Sequence, residues 1–290
     1  MDLVGSSPLL DSLLAGKYRL EEKLGQGHLG VVYRASSTAD GSTKYAIKVL
    51  TDEFSSDERA VQRFKREAKA AGALDHPNIV KMIEFDCTEN GSYYIVMELV
   101  EGKTLRRVIR RSGPLPYEKA IPIFIQVLDG LEHFHERGLV HRDIKPSNII
   151  LANFGTASET VKIVDFGLVR HIDADKAKEE KVTLEGYVTG TPAYMSPEQC
   201  LGGQVDARSD IYSLGCVMFR TLTGLAPVPG ATPRETMTNQ VQRSSLSFDR
   251  APPHIELPET LKDIIRTALA KEPELRYQCA DEMRRALQAL

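Results

Sequence analysis

The sequence predicts a bilobal α+β fold, with a strand-rich N-terminal lobe carrying one major helix and a mainly helical C-terminal lobe. Between residues 18 and 99, runs of β-branched and aromatic residues recur, interrupted by one stretch rich in Ala, Glu, Lys and Arg. After Glu101-Gly102, apolar residues instead return at helical spacings. No internal repeat or low-complexity tract competes with this division.

Tyr18-Arg19-Leu20 reads as the first strand and leads into a turn-rich glycine segment. Residues 31–35 and 45–50 read as the next strands, with Asp40-Gly41 suited to a tight turn between them. Residues 57–74 have helix-forming composition, and Pro77 supports a stop nearby. Strand character resumes at 80–85 and 93–99, turned by Asn90-Gly91. Residues 120–136 read as a long amphipathic helix through Ile121, Ile125, Leu128 and Leu131. Residues 206–224 and 258–271 read as further helices, Gly224 suiting the exit of the first. Residues 226–258 are proline-rich and poorly periodic, which reads as a connector. The expected boundaries are an N-terminal extension at 1–17, an N-lobe at 18–97, a hinge at 98–101 and a C-lobe at 102–290.

A net charge of -3 over 290 residues does not advertise nucleic-acid or membrane binding, so neither partner is expected. Cys87, Cys200, Cys216 and Cys279 form no C-x-x-C pair and have no zinc-like spacing to a histidine, which favours free thiols in a reducing compartment. No apolar run reaches the ~18 residues of a bilayer span. Residues 1–17 lack a basic n-region and a long apolar core, so they make a poor signal peptide. The expected location is the cytoplasm. The abrupt end after the last helical segment reads as a fragment, whose full-length parent could be membrane-anchored.

Four motifs carry chemistry. Gly25-x-Gly27-x-x-Gly30, followed by Val32, lets backbone approach phosphate oxygens without a Cβ. A dinucleotide site shares that spacing but wants a helix next, and here a strand follows. Lys48, on the third predicted strand, offers an ammonium to α- and β-phosphates. Glu67 on the following helix is its candidate partner, with Glu58 a rival on charge alone. The run His141-Arg142-Asp143-Ile144-Lys145-Pro146-Ser147-Asn148 puts a carboxylate, an ammonium and an amide on one short loop, and Asp165-Phe166-Gly167 adds a second acid after a strand-like run. Asp143 suits a hydroxyl as proton acceptor, and Lys145 suits charge on a moving phosphoryl group. Asn148 and Asp165 supply the hard oxygens that magnesium prefers. His141 lies beside the apolar pair Leu139-Val140 and reads as a packed structural histidine.

These motifs, with Ala46-Ile47-Lys48 and Ser196-Pro197-Glu198, resemble the signature set of eukaryotic-like Ser/Thr protein kinases, most closely bacterial members, over roughly residues 18–287. The resemblance implies ATP with Mg2+ (or Mn2+) as cofactors and protein substrates as partners. A kinase dimer for trans-autophosphorylation is a further partner consistent with it. It implies a Lys48–Glu67 ion pair, with Leu24, Val32, Ala46 and Ile150 about the adenine, backbone at Glu98 to Val100 along its edge, and Met97 as gatekeeper. Phe166 would pack beneath the Glu67 helix, Thr191 would contact Asp143 and Lys145, Asp210 would brace the catalytic loop, and Glu198 would pair with Arg276. Residues 165–198 would form an activation segment. There Thr183, then Thr189, are the candidate phosphosites that Arg142 would engage. Two departures are Leu29 at the glycine-loop tip and Ser196 where alanine is more familiar. The competing reading is a catalytically weak ATP-binding scaffold.

Overall fold

The computed structural model describes residues 9–27, 30–55, 57–165, 170–171, 183–184, 187–188, 191–242 and 248–290, with backbone alone for 52, 53, 59, 63, 170, 171, 183, 184, 187 and 188. The chain divides into two units, residues 1–75 with 80–101, and residues 76–79 with 102–290.

The first unit runs β1 (Leu13–Leu14), β2 (Tyr18–Gln26), β3 (Gly30–Ser37), β4 (Lys44–Leu50), α1 (Asp52–Ser55), α2 (Glu58–Gly72), β5 (Met82–Cys87) and β6 (Tyr93–Glu98). The strands form one antiparallel sheet in the order β1-β2-β3-β4-β6-β5. Leu20, Tyr33, Ala35, Ile47 and Val96 fill its core, in keeping with the two-residue period of a strand. Register shifts in β2 at Leu20/Glu22 and Lys23/Gly25 add twist. The two ends of the sheet meet where Glu84 of β5 takes Lys17 Nζ and the Tyr18 hydroxyl, each at 2.6 Å. α2 buries Phe64, Glu67, Ala68 and Ala71, one helical stripe, and Phe64 faces Phe85 of β5 at 6.4 Å between ring centroids.

Two expectations change here. The first predicted strand is longer than its apolar start suggests, because β2 continues to Gln26 and pairs Gly25 with Val32. Glycine lacks a side chain but keeps the backbone groups that a ladder needs. α1 also precedes the main helix. Gly30 has a steric reason to be glycine, since a Cβ there would lie 2.4 Å from Val49 O. Overpacking of this kind costs about 1–3 kcal/mol. Gly30→Ala should therefore lower the thermal midpoint by roughly 5 °C, and an unchanged midpoint would show that the β3–β4 backbone yields freely.

The second unit contains β7 (Gly102–Thr104), α3 (Leu105–Ser112), α4 (Tyr117–His135), β8 (Leu139–Val140), β9 (Ile149–Ala152), β10 (Thr160–Ile163), β11 (Arg170–His171), β12 (Thr183–Leu184), β13 (Tyr187–Val188), α5 (Pro197–Leu201), α6 (Ala207–Thr223), α7 (Pro233–Gln242), α8 (Glu259–Ala268) and α9 (Ala280–Gln288). Its centre is α4 and α6. Ile123, Phe124, Val127, Leu128, Leu131 and Phe134 of α4 are fully buried, and α6 is buried nearly all round. Strands β10-β9-β7 form a small sheet, and β8 pairs with β11. The segment 76–79 joins this unit through Asn78, whose side chain donates to Val161 O at 2.9 Å and Gln126 Oε1 at 3.0 Å. The expected connector at 226–258 contains α7, which buries Thr236 and Gln240. Among the described residues, no helix is long and apolar enough to cross a membrane.

Candidate active site

In the first unit, the sheet register gathers one set of candidates on one face. Val32 stands opposite Gly25 and Lys48, and Ala46 stands opposite Met97. The other face holds Tyr33, Ile47 and Val96 in the core. Lys48 is buried, and its Nζ lies 2.6 Å from Glu67 Oε1, also buried. The helical stripe that buries Phe64 and Ala68 carries Glu67 to this lysine. Gly27 N–H donates to Gly30 O at 2.8 Å, closing β2 on β3, while Gly25 has open space where a Cβ would project. Leu24 is exposed, and Val100 is half-buried. Glu98 N–H donates to Lys81 O at 3.0 Å, and its carboxylate accepts from Lys81 N at 2.8 Å.

In the second unit, the loop from β8 to β9 is held by α6. Asp210, in the first turn of α6 and fully buried, accepts from the backbone N–H groups of His141 and Arg142, each at 2.8 Å. His135 Nε2 lies 3.0 Å from the same carboxylate. Burial raises the Asp210 pKa, but the His135 hydrogen bond and its neighbours outweigh this and hold it below the usual carboxylate value. Gln199 Nε2 donates to Arg142 O at 2.9 Å. The Arg142 peptide groups are thus tied on both sides, which sustains its left-handed φ of 66°. Gln199 also completes a capping box with Ser196, a direct use for the hydroxyl where alanine is more familiar.

Three predicted groups meet on this loop. Lys145 Nζ lies 2.5 Å from Asp143 Oδ2, and Asn148 Nδ2 donates to that oxygen at 3.1 Å and to Asp143 O at 3.0 Å. Burial raises the Asp143 pKa and Lys145 opposes the rise, leaving it above the ordinary value of 3.8. Val164 N–H donates to Asn148 O at 2.9 Å, which sets Asp165 one residue beyond a backbone bond to Asn148. Asp165 has φ 70°. The oxygen donors Asn148 and Asp165 fit a hard divalent cation, and the amide nitrogen of Asn148 is already engaged by Asp143, leaving its oxygen as the donor. Ile150 is half-buried in β9, opposite Thr104 and Lys162.

Glu198 and Arg276 form a bidentate pair at 2.8 and 2.9 Å. Thr191 O accepts from Tyr194 N–H at 3.0 Å, and its side chain makes no hydrogen bond among the described residues. Phe166 and Thr189 lie outside the described residues, and only the backbone of Thr183 is described, pairing with Val188. Sequence reasoning missed His135 and Gln199. The Ser-x-x-Gln spacing was a legible cap signal, whereas nothing local marked His135 as a partner of a residue 75 positions away.

His141 is fully buried against Phe134, with Nδ1 facing Asp143 N at 3.3 Å. Burial lowers its pKa from the ordinary 6.5, as it does for His76. Below about pH 6.5 the unfolded chain then binds more protons than the folded one, so stability falls with falling pH. His141→Phe should flatten the loss of thermal midpoint between about pH 7.5 and 5.5, with His76 supplying a residual slope. An unaltered slope would remove His141 as a source of that dependence.

A model of the protein kinase domain matches residues 18–287. The chain is 40% identical over 279 residues to the serine/threonine-protein kinase PknB of Mycobacterium tuberculosis, covering 94% of this chain and 42% of that protein. It is 36% identical over 275 residues to PrkC of Bacillus subtilis (95% and 40%), and 37% over 281 residues to pkn2 of Myxococcus xanthus (96% and 33%). The chain thus spans between a third and a half of the length of these relatives. With its bilobal α+β fold and this match over nearly its whole length, the chain belongs to the protein kinase family, among the eukaryotic-like serine/threonine kinases of bacteria.

Proposed function

We propose that this chain transfers the γ-phosphoryl group of ATP to serine and threonine hydroxyls of protein substrates. The observation that carries the reading is the meeting of Asp143, Lys145 and Asn148 at 2.5 and 3.1 Å on a loop braced by Asp210. Asp143 holds the acceptor hydroxyl and takes its proton as the new bond forms. Lys145 offsets negative charge on the group in transit, and Asn148 and Asp165 hold magnesium. Lys48, oriented by Glu67, meets the α- and β-phosphates, and Val32, Ala46 and Ile150 contact the adenine, with Leu24, Met97 and the Glu98 to Val100 backbone around it. Bound ATP and magnesium supply the phosphoryl donor and neutralise its charge. Thr183 is proposed as the autophosphorylation site, with Thr189 second and Arg142 a partner for the phosphate.

Transfer from γ-labelled ATP to a mixture of serine/threonine peptides tests the reading. Label on the peptides supports it, and nucleotide binding without label would favour the scaffold. Site mapping after ATP incubation tests Thr183, and full activity with no phosphate there would remove its regulatory role.

A further inference from the structure

The first turn of α3 is fastened to the loop that carries Asp143, through Arg106 N–H to Pro146 O at 2.8 Å. The helix buries Leu105, Val108 and Ile109. Its other side exposes Arg106, Arg107, Arg110 and Arg111, and exposed Lys103 precedes it. At about 100° per residue the four arginines cover one continuous arc. None of them makes an ion pair among the described residues. Burial raises the pKa of the Tyr194 phenol, and the charges of Arg220 and Arg106 oppose it, so the positive field reaches the segment after Thr191.

Arg110 and Arg111 in the last turn suit the helix dipole, but the full set of four does not serve the helix. Arg106 and Arg107 place positive charge in the first turn, against the helix dipole. Arg106 with Arg110, and Arg107 with Arg111, are like-charged neighbours one turn apart. The chain as a whole carries -3, so this face inverts the sign of the molecule locally.

We propose that the arginine face of α3 docks acidic residues flanking the acceptor serine or threonine, making acidic protein segments the preferred substrates. The inference rests on the phosphoryl-transfer reading above. Guanidinium groups pair with carboxylates in a bidentate fork, and a rigid helix presents them at fixed spacing. The eight residues of α3 extend about 12 Å, which an extended peptide covers in about four residues. Acidic residues within about that distance of the acceptor are the ones it selects.

The test uses two labelled peptides, one with Asp and Glu around a threonine and one with Asn and Gln in their place. Fluorescence anisotropy and kcat/KM are measured on this chain and on R107Q/R110Q/R111Q. The acidic peptide should bind about tenfold more tightly and show a kcat/KM about tenfold higher. The variant and about 0.5 M salt should each bring both ratios toward one. The variant's thermal midpoint should stay within a few degrees of that of the parent chain, as expected for exposed side chains, a result that excludes misfolding as the cause. Equal binding of both peptides by the parent chain overturns the proposal. So does binding to phosphatidylglycerol vesicles without preference between peptides, which would assign the face to lipid. If neither peptide is phosphorylated but the anisotropy contrast persists, the proposed function fails while acidic docking stands.

Discussion

Asp143→Asn should reduce phosphoryl transfer by about 10²–10⁴-fold, the usual range for loss of a positioned proton acceptor, while leaving the thermal midpoint equal to or above that of the parent chain. The two halves of this expectation have one cause. Burial raises the Asp143 pKa, so the fold disfavours its ionised form, and Lys145 recovers only part of the difference. A neutral amide of the same shape removes that penalty. Its carbonyl oxygen can still accept from Asn148 Nδ2, which now donates to Asp143 Oδ2 at 3.1 Å. The substitution thus removes the proposed base with little cause for unfolding, as expected where a site is held at the expense of stability. Single-turnover transfer with the nucleotide saturating, beside a thermal scan, checks both halves. Unchanged transfer would remove Asp143 as the base, and a large fall in midpoint would show that its charge serves the fold.

Arg276→Ala should destabilise the second unit by about 3–5 kcal/mol, as expected when one partner of a buried pair is removed. The Arg276 side chain is fully buried. It spends its donors on Glu198 at 2.8 and 2.9 Å, Ala270 O at 2.7 Å, Lys271 O at 2.8 Å and Arg208 O at 3.1 Å, and its guanidinium lies 4.9 Å from the Tyr212 ring centroid. Truncation strands three carbonyls and leaves Glu198 with Ser209, whose hydroxyl donates to it at 2.5 Å. Burial raises the Glu198 pKa, but Arg276 and Ser209 more than cancel this and hold it below 4.5. Because the folded pKa is depressed, the pair's contribution is present above about pH 4.5 and is lost as pH falls through the lower folded value. Urea unfolding at neutral pH checks the magnitude, and the E198A/R276A double variant should cost less than the sum of the singles. A loss below about 1 kcal/mol would place the pair among solvent-screened surface bridges.

The parts of the fold that sequence reasoning reached were those with strong local signals. Strands rich in β-branched and aromatic residues and the long stripe of α4 declare themselves within a few turns of chain. α7 did not, because it is buried through polar groups. Gln240 accepts the Tyr212 hydroxyl at 2.6 Å, a contact that apolar periodicity cannot register. The sequence alone shortens β2 because glycine reads as a turn former, whereas cross-strand pairing with β3 holds Gly25 extended.

What the sequence determined by itself was the inventory of chemistry and its order: an ammonium on a strand, a carboxylate, ammonium and amide within one loop, and a second carboxylate after a short apolar run. Spacing within a loop is covalent, so Asp143, Lys145 and Asn148 could hardly lie far apart. The tertiary structure decided which partners are made across long stretches of chain. Charge alone left Glu58 and Glu67 open for Lys48, and the phase of α2 on the sheet selected Glu67. The same holds for Asp210 bracing His141 and Arg142 from 69 and 68 residues away, and for Arg276 reaching Glu198 across 78. Such contacts depend on how helices and strands pack, and helix periodicity relates only residues on neighbouring turns.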